Sequence, residues 1–90
     1  MKNSHLEELR SQIDLLDDQL VEVLARRFRL TDEIGRLKRD LGLPAVDAQR
    51  EQQQRTKIRQ FARQHGLSED IALKVHRAII DEVVIKHRKV

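Results

Sequence analysis

The sequence predicts an all-α chain of three helices that pairs with a second copy of itself. Three observations predict it. From Leu6 to Leu41 one seam alternates steps of three and four: Leu6, Leu9, Ile13, Leu16, Leu20, Val23, Arg27, Leu30, Ile34, Leu37, Leu41. That spacing is the core stripe of a long helix. Glycine stands only at positions 35, 42 and 66 and proline only at 44, mostly where helices would end. No stretch alternates with period two, so no strand is expected. The dimer follows from size. Ninety residues make one small domain spanning 1–90, with 39% hydrophobic and 37% charged residues and only Phe28 and Phe61 aromatic. Such a chain buries little core alone, and long helices with apolar stripes answer that by associating.

Helix 1 is expected from about Ser4 to Leu41, in turns rich in Leu, Glu, Arg and Gln. Gly42-Leu43-Pro44 ends it, because glycine suits the C-terminal cap and proline cannot continue the ladder. Asp47 is placed to cap helix 2, which runs to about Gln64 and closes at His65-Gly66. Ser68 is a good N-cap for helix 3, with Glu69 and Asp70 in its first turn facing the positive dipole end. Helix 3 carries Ile71, Val75, Ala78, Ile79 and Val83 at helical spacing. Helix 1 would be roughly 55 Å long, about twice either of the others. Two shorter helices cannot cover its seam; two chains with their long helices side by side can.

Ten of the eleven seam residues are aliphatic and the one in the middle is Arg27. A guanidinium on such a stripe is costly unless an anion meets it. That anion is either a carboxylate of the protein or an anionic ligand. At roughly 100° per residue Lys38, eleven residues on, shares the face of Arg27 within about 20°. Arg10, seventeen residues earlier, points about 100° away and sits roughly 25 Å up the axis. It cannot serve Arg27's pocket within one straight chain, but in an antiparallel dimer it can serve the pocket of the other.

Asp47, Arg50 and Glu51 share one face of helix 2 at i, i+3 and i+4; taken alone they read equally as a cap with a local ion pair. His87 continues the stripe of Ile80 and Val83, where a histidine near a terminus is commonly a solvated or core-edge side chain. His5, His65 and His76 have no metal-binding spacing, and without cysteine there is neither a disulfide nor a thiolate zinc site. No nucleophile stands beside a base: Ser4, Ser11 and Ser68 take terminus, surface or cap positions, and there is no glycine-rich phosphate loop. Fixed cations with one carboxylate and a few hydrogen-bond partners suit an anionic small molecule held in a defined shape, without a covalent intermediate.

Taken together, Leu9-Arg10, Leu24-Ala25-Arg26-Arg27, Ile34-Gly35-Arg36-Leu37-Lys38, Gly42-Leu43-Pro44-Ala45-Val46-Asp47 and Arg50-Glu51 resemble the all-helical chorismate mutases of the AroQ type. The resemblance covers nearly the whole chain. Each short piece is weak, and six polar positions in register are specific. It implies an intertwined homodimer of three-helix chains with two equivalent sites. Each site uses Arg27, Lys38, Asp47, Arg50 and Glu51 from one chain and Arg10 from the other. The reaction it implies is the Claisen rearrangement of chorismate to prephenate in phenylalanine and tyrosine biosynthesis, without metal or cofactor. Arg10 and Arg27 would clamp the two carboxylates of the substrate. Lys38 would donate to the ether oxygen as the C–O bond breaks. Glu51, helped by Asp47, would hold the ring hydroxyl, and Arg50 would complete the positive wall.

Two positions depart from the family pattern. Where members usually carry Gln, or sometimes Glu, as second donor to the ether oxygen, this chain has His87. One turn earlier, where many have a small polar residue, it has Val83. A neutral imidazole donates from one ring nitrogen and a protonated one from both, so His87 can take the donor's place. Lys86, next door, is the alternative after a small shift of register. The substitutions also keep open two relatives on the same scaffold, isochorismate pyruvate lyase and 4-amino-4-deoxychorismate mutase, whose substrates carry two carboxylates as well.

Charge supports a different class only weakly. The formal net charge is +3 with a pI near 9.7, which permits a non-enzymatic helical dimer binding nucleic acid through Arg26, Arg29, Arg36, Arg39 and the tail Lys86-His87-Arg88-Lys89. Such a reader has no use for Arg27 in an apolar seam and would gain from the aromatic residues missing here. The opening MKNSHLEELR lacks the apolar stretch of a signal peptide, and no run is long enough to span a bilayer. A soluble, cytoplasmic protein with no membrane partner is expected.

Overall fold

The computed structural model describes residues 3–88; Lys89 of the basic tail lies outside them. Three helices make up the described chain, α1 (Ser4–Leu41), α2 (Ala48–Gln64) and α3 (Glu69–Arg88), with no strand among the described residues. The all-α, three-helix expectation holds, and the ends fall where the capping residues put them. None of the three helices is long and apolar enough to cross a membrane.

Each end has an identifiable cause. Asn3 caps α1, its Oδ1 accepting the N–H of Leu6 at 3.1 Å. Gly42 ends α1 at φ 68°, a left-handed conformation open to glycine without strain. Its N–H donates to Arg39 O at 3.1 Å and the Leu43 N–H to Lys38 O at 2.7 Å, the paired bonds of a Schellman cap. The same pair closes α2 at Gly66, from Gly66 N–H to Arg63 O and Leu67 N–H to Ala62 O. Asp47 begins α2, accepting the Arg50 N–H on Oδ1 at 3.1 Å, and Ser68 Oγ accepts the Ile71 N–H at 3.4 Å before α3. Asp47→Ala should cost about 1 kcal/mol in a urea unfolding curve through loss of the cap. An unchanged midpoint would show that the cap contributes nothing.

The chain divides after Thr31 into two units. The first is the N-terminal part of α1. The second holds the last turns of α1 together with α2 and α3, which pack on each other. Its interior is small: Gly35, Ala62, His76 and Val83 are the buried residues, and no large side chain among the described residues is fully enclosed. Arg63 of α2 reaches Glu69 of α3 with Nε–Oε2 at 3.0 Å. That hydrogen bond holds the Glu69 carboxyl below its usual range and raises the guanidinium above its own. The bridge is therefore intact at neutral pH and is lost as pH falls through the lowered Glu69 pKa. Both groups are exposed, so its worth is small.

Candidate active site

Two of the sequence-derived site residues lie in the first unit. Arg10 is solvent-facing, with Nη1 3.5 Å from Glu7 Oε1 one turn earlier, a surface pair that holds it weakly. Arg27 is different. The ten aliphatic seam residues are 41–62% exposed, and Arg27 alone of the eleven is half-buried, with its Nη1 sealed from solvent. Within this chain the charged member of the seam is better shielded than the apolar ones, the reverse of the usual order.

The other six lie in the second unit. Lys38 is half-buried on the last turn of α1, and its Nζ donates to the carbonyl of Ala45 at 3.3 Å across the α1–α2 connection. The bond is long, and the ammonium has further N–H donors for a substrate. Asp47 spends one carboxylate oxygen on the α2 cap, and Arg50, whose N–H it accepts, keeps its side chain exposed. Glu51 follows on the first turn of α2, half-buried on the wall of an α2–α3 groove of about 830 Å³ that Arg55, Leu73, His76 and Ile80 also line. Asp47, Arg50 and Glu51 thus stand at the start of α2, and Lys38 bonds to the connection that precedes it.

Val83 and His87, the two departures, sit on α3. Val83 is buried, at 9% exposure. His87 is half-buried against the α1 backbone: a Cβ added to Gly35 would stand 2.7 Å from its Nε2 and 2.8 Å from its Cδ2. His87 and Gly35 border a cleft of about 220 Å³ together with Asp32, Arg36, Arg39 and Lys86. His87 and Glu51 therefore line different clefts of this unit. The sequence left Lys86 as an alternative to His87; its Nζ grips both Asp32 oxygens, at 3.0 and 3.1 Å. Sequence reasoning passed over Arg55, although its place one turn after Glu51 sets it on the same face. It also assigned no task to Gly35, whose contact joins positions far apart in the chain and leaves no local signal.

Residues 9–88, nearly the whole chain and a span that includes the eight candidate positions, match the family described as chorismate mutase type II. The chain belongs to the chorismate mutase type II family. Membership makes it an isomerase, and the all-helical architecture accords with that. The chorismate mutase of Methanocaldococcus jannaschii is 30% identical over 76 residues, covering 84% of this chain and 77% of that protein. The T-protein of Haemophilus influenzae is 35% identical over 77 residues, or 86% of this chain and 20% of its own length, so the match spans about a fifth of that longer protein. A 4-amino-4-deoxychorismate mutase of Streptomyces venezuelae is 29% identical over 82 residues, covering 91% of this chain and 80% of that one. The chorismate mutase type II match thus includes relatives named for two different substrates.

Proposed function

We propose that this chain, acting over its whole length as one domain, rearranges chorismate to prephenate as an intertwined homodimer, for phenylalanine and tyrosine formation. The observation that carries the reading is the α1 seam. Ten aliphatic side chains lie exposed along it, and the half-buried guanidinium of Arg27 stands among them. Apolar surface on that scale, in a chain with so small an interior, is surface for a partner. A second copy offers an identical stripe, and in antiparallel alignment its Arg10 approaches the site of the first.

The chemistry needs no nucleophile. Chorismate is a dianion that must fold into a compact chair before its C–O bond breaks and a C–C bond forms. Arg27 and Arg10 of the partner subunit hold the two carboxylates by paired hydrogen bonds and so select the reactive conformer. Negative charge grows on the ether oxygen during bond breaking. Lys38 donates to that oxygen and His87 supplies the second donor, so both bind the transition state more tightly than the ground state. Glu51, with Asp47 at the turn, holds the ring hydroxyl. Arg50 completes the positive wall, and Val83 borders the substrate beside His87.

A second reading has a specific basis. Val83 and His87 stand where the family pattern has polar residues, and the Streptomyces venezuelae relative is named for 4-amino-4-deoxychorismate. Isochorismate pyruvate lyase uses the same cationic clamp. A panel of chorismate, isochorismate and 4-amino-4-deoxychorismate, with identification of products, separates them. Prephenate from chorismate, formed with the highest kcat/KM of the three, is expected. Turnover of 4-amino-4-deoxychorismate alone, or pyruvate released from isochorismate alone, would replace this reading with the corresponding one.

A further inference from the structure

We infer that Gly35 and the Asp32–Lys86 ion pair are positioning residues for His87, together fixing where its imidazole stands on the ether-oxygen side of the site. The inference rests on the reading that His87 donates to the substrate.

Gly35 is the one glycine inside α1, and glycine is the poorest helix former after proline. It is also the one buried residue of that helix. What its missing side chain permits is visible in its surroundings. An alanine methyl there would come within 2.7 Å of His87 Nε2 and 2.8 Å of Cδ2, closer than carbon approaches either atom, and 3.5 Å from Cε1. Those are atoms of the imidazole itself, so any side chain at position 35 must push the ring away. The glycine thus sets how near the imidazole comes to α1.

Asp32 stands three residues before Gly35, on the same face of the helix. Its two carboxylate oxygens receive Lys86 Nζ at 3.0 and 3.1 Å. Lys86 and His87 are neighbours on the last turn of α3, so α1 holds that turn at two adjacent points. The ion pair is solvent-exposed and stabilises little, and its effect is geometric. It engages Lys86 on α1, so of the two adjacent side chains His87 takes the place against Gly35. The six residues bordering the small cleft are this clamp with Arg36 and Arg39 beside it.

The test uses the full chain and four variants: Gly35→Ala, Asp32→Asn, His87→Ala and the double variant Gly35→Ala/His87→Ala. Ring resonances of His87, assigned by their loss in His87→Ala, report its surroundings without reference to activity. They are expected to shift in Gly35→Ala and in Asp32→Asn, with helical circular dichroism retained. On chorismate, Gly35→Ala is expected to lower kcat about 10- to 100-fold with KM changed less than about threefold, the effect of misplacing a catalytic group by a fraction of its reach. Added to His87→Ala, the same substitution should change kcat less than about twofold, because the group it misplaces is gone. Unmoved ring resonances in both single variants would overturn the clamp whatever the activities are. An equal loss from Gly35→Ala with and without His87 would overturn it too, assigning the glycine to helix packing. Wild-type kcat in His87→Ala, alongside shifted resonances in Gly35→Ala, would instead refute His87 as donor and remove the foundation of the inference. Should Gly35→Ala not fold, the resonances and kcat of Asp32→Asn decide alone, with unmoved resonances counting against the clamp.

Discussion

Arg27→Ala is expected to lower kcat/KM on chorismate by about 10²- to 10³-fold while the helical content and the dimer survive, the size of loss that follows removal of one preorganised charge-stabilising donor. The stability half of that expectation comes from its neighbours. The ten other members of the seam are aliphatic, so alanine makes the stripe more uniform and removes a charge that a helix–helix interface must otherwise accommodate. The activity half comes from what a guanidinium supplies to a carboxylate: two parallel N–H donors in a fixed plane, which neither water nor a methyl group reproduces. Steady-state kinetics together with sedimentation equilibrium and circular dichroism check both halves. Wild-type kcat/KM in a folded dimer would remove Arg27 from the site.

Mixing inactive Arg10→Ala and inactive Lys38→Ala chains is expected to restore activity. If each site takes Lys38 from one chain and Arg10 from the other, half the dimers formed after free exchange are mixed. Each of these has one site with both groups intact and one with neither, so about a quarter of the wild-type rate should return. The expectation draws on the exposure of Arg10, held only by a surface pair with Glu7, and on its distance along α1 from the residues it would serve. Subunit exchange proven by mass spectrometry with no recovery of activity would show that each site is built from one chain.

Much of the fold was legible because its signals are local. The seam, the two left-handed glycines and the caps at Asp47 and Ser68 each act within a few residues, and α1, α2 and α3 end where those residues dictate. The cap of α1 is Asn3, one residue before the expected start, which only its bond to Leu6 reveals. In the candidate site, helical period made Asp47, Arg50 and Glu51 legible as one face of the first turn of α2, whereas Arg55, one turn after Glu51, was passed over. What else escaped was tertiary. Asp32 with Lys86, and Gly35 with His87, join the end of α1 to the end of α3, and neither pair has a spacing that periodicity can read.

The position of Arg27 has a further consequence for how two such helices would align. A seam repeating leucine every three or four residues is nearly degenerate under translation: slide one copy by a heptad and leucine again meets leucine. A single charged residue breaks that degeneracy. In a slipped pairing the guanidinium would stand out of step with the partner's Arg10 and with the substrate the two would share, a mismatch the correct alignment avoids. Arg27 would then mark the zero of the scale along α1, so that the same residue fixes the register of the two chains and the place of the substrate between them.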